Sequence, residues 1–390
     1  MANVKEVAAK YGDYLIEKRR YFHENPELSG EEFNTSKVVK EELDKMGVEW
    51  KACGLETGVL ATIKGSKPGK TILIRGDMDA LPVEELNDVP YVSKTKGLMH
   101  ACGHDCHTAM MLTAAQILKD MKDELCGTVK LAFQPAEETA QGAKSMIAQG
   151  ALEGVDGCFG IHVWQDVPSG KVLCDEGPRM GAADHFKIDV KGKGSHGAAP
   201  HQGVDAAVVT AAIINNLQTL VSRETDPTDS LVVTVGKVDV GTRWNIVPEN
   251  AHIEGTLRCL TKDLYNRLPE IVERVVKNTA AVFGADASVE IDRLTAVTEN
   301  DENFAGVMKG AVNTVWGENS LYHAKPTLGG EDFSFFLDKC AGGIALVGIG
   351  NEECGAVWPH HSGHFTVDED QLLKAAELYV QVAMDFNSRA

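Results

Sequence analysis

Short apolar strands alternate with helices along most of this chain, and one block in the middle breaks that rhythm. Apolar residues at helical spacing predict helices over 4–20 and 31–46, and apolar strands follow at 58–63 and 71–77. An apolar helix is expected over 108–121, then the strand TVKLAFQ at 128–134, a helix at 142–150 and a strand at 157–164. Such alternation predicts a mostly parallel sheet covered by helices on both faces. Sheets of this kind collect their chemistry at the carboxyl ends of the strands, where Asp77, Glu137, Glu138 and His162 fall.

From residue 181 to 293 the order becomes strand, helix, strand, strand, helix, strand, which is the split βαβ, ferredoxin-like order. The first pattern then resumes, with helices over 304–316 and 369–386 and an apolar strand at 343–349. The expected plan is an α/β main domain, residues 1–180 and 294–390, with a mostly parallel sheet flanked by helices in the phosphorylase/hydrolase-like manner. An inserted α+β ferredoxin-like domain, 181–293, interrupts it and has the size of one small domain.

Charge and cysteine usage narrow the function classes. Asp plus Glu number 57 against 38 Lys plus Arg, a net charge of -19. That balance opposes binding to a phosphate backbone and to anionic lipid. The opening MANVKEVAAKYGDYLIEK is charged and amphipathic, unlike a signal peptide, and no 18-residue apolar run follows. Nine cysteines, an odd number, fit a reducing compartment better than a disulfide framework. An acidic cytoplasmic enzyme is expected, with neither nucleic acid nor membrane as partner.

The densest chemistry is MHACGHDCHTA at 99–109. Cys102 and His104 stand two apart at the mouth of a helix, where a loop can point both one way and the helix N-terminus favours a thiolate. Thiolate with imidazole suits zinc or a similar divalent ion; a glycine turn carrying a core Cys and His is the alternative. In QPAEE, two adjacent carboxylates end a strand, an expensive pairing unless a cation or proton is shared. One could ligate a metal while the other stays free as a base, or the pair could be a solvated acidic turn. His162 alone reads as a hydrogen-bonded core histidine, and Asp77 with Asp79 reads equally as a turn. WPHHSGHF at 358–365 adds three histidines. Together Cys102, His104, Glu138, His162 and His361 make five candidate ligands. That is one too many for a single tetrahedral zinc and suits two ions sharing a bridging water or carboxylate.

The strings HENPELS, RGDMDALP, MHACGHDCHTA, FQPAEE, GKGSHGAAPH and GGEDF occur in this order along the chain. In them the sequence resembles the aminoacylase–carboxypeptidase family of metallopeptidases, in its amidohydrolase branch of hippurate hydrolases, auxin-conjugate hydrolases and N-acyl-amino-acid deacetylases. The resemblance spans essentially the whole chain. It implies a dinuclear site liganded by Cys102, His104, Glu138, His162 and His361, with Glu137 as the base. It also implies that the inserted domain is a lid that forms a homodimer, and that His196 reaches the partner's active site to polarise the scissile carbonyl. Asn245, Arg258 and Gly330 match substrate-contacting positions. Read without the family, His196 is a surface loop residue, Asn245 a hairpin-turn residue and Arg258 a surface strand residue.

Two departures matter. Asp77-Met-Asp79 stands where other branches carry a His-x-Asp ligand pair, so Asp77, Asp79 and Asp105 are expected to support the ligands from behind. HHSGHF leaves His360 and His364 as rivals of His361, and alignment on Phe365 favours His361. The implied cofactors are two divalent ions, zinc or manganese, with cobalt or nickel as substitutes in vitro. The expected activity is cleavage of N-acyl amino acids (acetyl, benzoyl or longer) by a metal-bridging water that Glu137 activates. A dipeptidase or carboxypeptidase of the same fold is the alternative. A non-catalytic metal- or peptide-binding scaffold is disfavoured, because a binder has no need of Glu137 beside Glu138.

Overall fold

A computed structural model describes residues 3–389. The chain forms two compact units, one of Met1–Gly177, Glu299–Lys325 and Asp332–Ala390, the other of Pro178–Thr298 and Pro326–Glu331. The segment 326–331, expected in the main domain, groups with the second unit because its backbone is bonded there. Gly181 N–H donates to Gly329 O and Thr327 N–H to Arg179 O, both at 3.0 Å.

The first unit is built on a seven-stranded sheet. Its order is Glu49–Ala52, Val59–Lys64, Cys126–Gln134, Lys67–Asp77, Gly157–Pro168, Gly342–Gly350 and Val172–Leu173. The four central strands are mutually parallel, and the outer three run antiparallel to their neighbours. Alternation sends side chains to opposite faces. Ile72 and Ile74 enter one apolar core and Leu73 the other, so the sheet is buried on both sides as its parallel centre requires.

Helix His104–Asp120 is buried along nearly all its length, which explains its apolar sequence. It begins at His104, four residues before the apolar run at 108, and so carries His104 in its first turn. The helix expected over 4–20 is broken instead into Val4–Ala8, a 3-10 turn Ala9–Tyr11 and Gly12–Glu24. The last helix, Leu372–Asn387, is tied to the sheet by Tyr379, whose hydroxyl donates to Arg75 O (2.7 Å) and accepts from Ile161 N–H (3.2 Å).

The second unit holds a four-stranded antiparallel sheet in the order Leu231–Val240, Asn250–Cys259, Ala182–Lys191, Asp286–Thr295. With helices Ala206–Thr219 and Lys262–Val282 between its strands, that is the ferredoxin-like topology. Phe186, Ile188, Ile253 and Leu257 are buried, whereas His185, Lys187, Glu254 and Asp292 form ion pairs among themselves.

Tyr379→Phe removes both hydroxyl bonds at the sheet centre and leaves the buried Ile161 N–H without that acceptor. The expected cost is about 1–3 kcal/mol, read as a lower urea midpoint at unchanged slope. An unmoved midpoint would show that the hydroxyl does not hold the helix to the sheet.

Candidate metal centre

Asp77 ends the strand Lys67–Asp77 and lies in register with Gln134, the last residue of its parallel neighbour. Between them the chain brings in Gly103, the residue before helix His104–Asp120. Gly103 has φ +89°, and a Cβ there would lie 2.4 Å from Val163 Cγ2. Only glycine lets this loop press on the strand that carries His162.

Four imidazole and carboxylate atoms face one another here. The His104 Nδ1–H donates to Asp79 Oδ1 (3.2 Å), which leaves Nε2 between Asp77 Oδ2, 3.7 Å away, and Glu138 Oε1, 3.9 Å away. His162 Nδ1–H donates to Val163 O (2.6 Å), and its Nε2 lies 3.6 Å from Cys102 Sγ. His361 Nε2 is 3.5 Å from the same Glu138 oxygen. Three overlapping sets, Cys102–His104–His162, Cys102–Glu138–His361 and His104–Glu137–Glu138, each keep their donor atoms within 4.8 Å of one another.

The donors fit divalent ions. His104 Nε2 and Glu138 Oε1 are buried without a hydrogen-bond partner, a state that native interiors avoid unless something else binds there. Thiol, imidazole and carboxylate together suit zinc-like metals, and sets that share Cys102, His104 and Glu138 suit two ions better than one. Protonation tells the same story. Burial, then the Glu138 charge, pushes the Cys102 thiol well up, and burial pushes Glu138 up despite His104. Burial also drives His104 down, but Asp77 and the neighbouring groups outweigh it and the net shift is upward. Ionising Cys102 beside the Glu138 carboxylate calls for further positive charge, and a bound ion supplies it.

Of the three aspartates expected to support the ligands, Asp79 is the one that hydrogen-bonds to candidate donor residues. Asp79, 1% exposed, takes His104 Nδ1–H and Glu137 N–H (3.1 Å) on Oδ1, and the Ser29 hydroxyl (2.6 Å) and Glu138 N–H (3.0 Å) on Oδ2. Asp77 accepts from Arg75 Nη1 and His107 Nδ1, each at 2.5 Å. Since Val163 N–H donates to His107 Nε2 (2.9 Å), both nitrogens of His107 are spent. Asp105 turns elsewhere: it pairs with His23 Nδ1 (2.8 Å) and Arg19 Nε (3.1 Å).

Among the rival histidines, His360 Nε2–H donates to Val163 O (3.0 Å), and burial pushes its pKa down to about 4. His364 packs on Trp358, ring centroids 4.9 Å apart. His361 alone of the three faces Glu138. It does so from a left-handed backbone, φ +65°, with its N–H bonded to Ala101 O. Glu137 and Glu138 follow a second left-handed residue, Ala136 at φ +52°. Glu137 Oε1 accepts from Asp332 N–H (3.2 Å).

The remaining candidates lie in the second unit. His196 stands on the two-residue strand Ser195–His196, paired with Ile246, and is exposed. Its Nδ1 accepts from Ala198 N–H (3.0 Å), so the neutral ring carries its proton on Nε2. Gly197 N–H donates to Asn245 O (2.9 Å), which makes His196 and Asn245 neighbours, and Asn245 Oδ1 is buried without a hydrogen-bond partner. Arg258 pairs across the sheet with Ala183, which also pairs with Thr295. Gly330 sits over that row: a Cβ there would lie 2.8 Å from Thr295 Oγ1 and 3.4 Å from Ala183 Cβ.

Residues 73–385 match the model of peptidase family M20/M25/M40. The chain belongs to that family. It is 40% identical to thermostable carboxypeptidase 2 of Saccharolobus solfataricus over 99% of this chain and 98% of that one. It is 39% identical to the N-acetyl-L-cysteine deacetylase of Bacillus subtilis, over 93% of this chain and 85% of the relative. In structure it is similar to the Bacillus subtilis YXEP protein, described as a dinuclear metal-binding peptidase. That match has a TM-score of 0.85 at 35% identity and covers 96% of this chain and 98% of that one. As a member of M20/M25/M40, the protein is a hydrolase of amide bonds. Among the described residues, no helix is long and apolar enough to cross a membrane.

Sequence reasoning missed Ser29, Glu32, Arg75, Gln134 and Asp332, whose side chains surround the two glutamates or their supports. The strings HENPELS, RGDMDALP, FQPAEE and GGEDF contain Ser29, Arg75, Gln134 and Asp332 without showing what the side chains do, and Glu32 lies outside them all.

Asp79→Ala should weaken divalent-ion affinity by about 10–100-fold with little change in far-UV circular dichroism; unchanged affinity would remove Asp79 from this role. Binding should also release protons, because Cys102 holds its thiol proton until an ion displaces it. Apparent affinity therefore rises with pH below the elevated thiol pKa and falls as pH drops. Calorimetry in two buffers of different ionisation enthalpy reads this directly, and absence of proton release excludes Cys102 as a ligand.

Proposed function

We propose that the protein hydrolyses N-acyl amino acids, releasing an amino acid with its α-carboxylate free. Cys102, His104, Glu138, His162 and His361 hold two divalent ions in this reading, zinc or manganese. The observation that carries it is Glu137, a second carboxylate on the same turn as Glu138, with its backbone N–H held by Asp79 and Oε1 by Asp332 N–H.

Bound ions supply positive charge that polarises a carbonyl and acidifies water. Glu137 takes the proton from the attacking water and returns it to the leaving amide nitrogen. His196, delivered across a homodimer to the other subunit's site, donates its Nε2–H to the developing oxyanion. Its exposure and the Nδ1 bond to Ala198 support that role. Asn245, Arg258 and Gly330 bind the substrate, Arg258 by pairing its guanidinium with the α-carboxylate. The nine free thiols fit a cytoplasmic setting.

The relatives' names, carboxypeptidase and deacetylase, describe one kind of bond. In both, the amide nitrogen belongs to an amino acid whose carboxylate is free. A peptidase reading differs only in the acyl side, which then carries an amino group. Loading the metal-free enzyme with Zn²⁺, Mn²⁺, Co²⁺ or Ni²⁺ and offering N-acetyl, N-benzoyl, longer N-acyl amino acids and dipeptides separates the two. Absence of amino acid release from all of them would sink the proposal, and faster turnover of dipeptides would select the peptidase.

Glu137→Gln should keep fold and metal while losing roughly 10²-fold or more in rate; near-normal turnover would refute the base assignment. His196→Ala should be nearly inactive. Mixing it with Glu137→Gln should restore activity through hybrid dimers, and no recovery argues against action across subunits.

A further inference from the structure

The turn that carries Glu137 and Glu138 is unstable by itself. Ala136 is left-handed without being glycine, a conformation that costs of order 1 kcal/mol or more and persists only where surroundings impose it. Three buried carboxylates distant in sequence surround this turn. Asp79 takes the N–H groups of Glu137 and Glu138. Asp332 takes Ala143 N–H (3.0 Å) and the Gln134 side-chain amide (2.7 Å). The third is Glu32, fully buried, whose Oε1 accepts from Ala136 N–H itself at 2.9 Å.

Glu32 is held in turn by Gly30 N–H (2.8 Å) on Oε1 and by the Thr57 hydroxyl (2.6 Å) on Oε2. Its neighbour Ser29 donates to Asp79. The segment containing HENPELS thus grips the glutamate turn twice, once through each carboxylate. An apolar residue at 32 would leave the Ala136 N–H without that acceptor and free the turn to relax. We propose that Glu32 is a positioning residue, whose carboxylate fixes the left-handed turn and so aims both Glu137 and Glu138. The proposal rests on Glu137 as the base and Glu138 as a ligand.

The test compares Glu32→Ala, Glu32→Gln and Glu137→Gln. At saturating metal, Glu32→Ala should lower kcat by about 10–100-fold and change KM little. Divalent-ion affinity, measured by calorimetry, should fall by about 10–100-fold, because Glu138 rides on the same turn. Glu32→Gln should recover both, since the amide oxygen still accepts the two N–H groups and the Thr57 hydroxyl can reverse to accept from the amide nitrogen. In a Glu137→Gln background, Glu32→Ala should reduce kcat no further, because the two residues act as one unit. Wild-type kcat and ion affinity in Glu32→Ala overturn the proposal, as does a Glu32→Gln variant as damaged as the alanine. Fast turnover by Glu137→Gln alone instead defeats the base assignment, while the loss of ion affinity still tests Glu32. If Glu32→Ala does not fold, Glu32→Asp, one methylene too short to reach Ala136 and Thr57 together, should show the same losses.

Discussion

Asp79 stays a carboxylate inside the protein because four groups donate to its two oxygens. Burial pushes its carboxyl up, but the His104 hydrogen bond and charge, with Ser29, bring it below the usual range. A depressed carboxylate contributes stability above its unfolded pKa and loses it as pH falls through the folded one. Acid therefore attacks the site and the fold at the same place. With Asp79 protonated, one oxygen could no longer accept both of its partners. The imidazole of His104 and the amides of Glu137 and Glu138 would then lose their common reference point.

A second buried charge fixes the sheet beneath that point. Arg75, fully buried, bonds Gln134 Oε1 (2.9 Å), Asp77 and Asp332 Oδ1 (2.8 Å). Burying a guanidinium with two carboxylates costs several kcal/mol per ion before attraction offsets it, so stability is a poor reason for the arrangement. Direction is a better one. Arg75 links the ends of two neighbouring strands to Asp332, whose backbone N–H holds Glu137. An apolar replacement could fill the same volume, yet it would leave these groups without a fixed orientation.

Much of this was legible in the sequence, and the reason differs from place to place. The alternation of apolar strands with helices announced a mostly parallel sheet covered on both faces, and Ile72, Leu73 and Ile74 are buried accordingly. The inserted block was legible through the order of its elements, which the strand order of the second sheet matches. The candidate ligands Cys102 and His104 stood out because they are two residues apart at the start of a helix. Asp79 was legible only as a general support and Glu32 not at all, since both bind backbone N–H groups, and a backbone amide leaves no trace in residue type. The left-handed backbones of Ala136 and His361 were hidden for a related reason: glycine signals that conformation, and neither residue is glycine. The segment 326–331 joins the second unit through bonds to its main chain, which no periodicity reveals.

Charge reconciles an acidic chain with the anionic substrate proposed for it. The protein carries a net -19, which repels a carboxylate at long range, though salt screens that repulsion beyond about 8–10 Å. Near the site, bound ions change the balance. In the proposed ligand set, thiolate Cys102, Glu138, Glu137 and Asp79 bring about four negative charges against about four positive from two divalent ions. Asp77 adds little to that sum, because Arg75 pairs with it, while His107 and a metal-bound His104 are neutral donors. For the proposed anionic substrate, a site without net negative charge and the Arg258 guanidinium then oppose the diffuse acidity of the surface. Pairing Asp77 with arginine, instead of omitting it, keeps its orienting hydrogen bonds without adding its charge to the site.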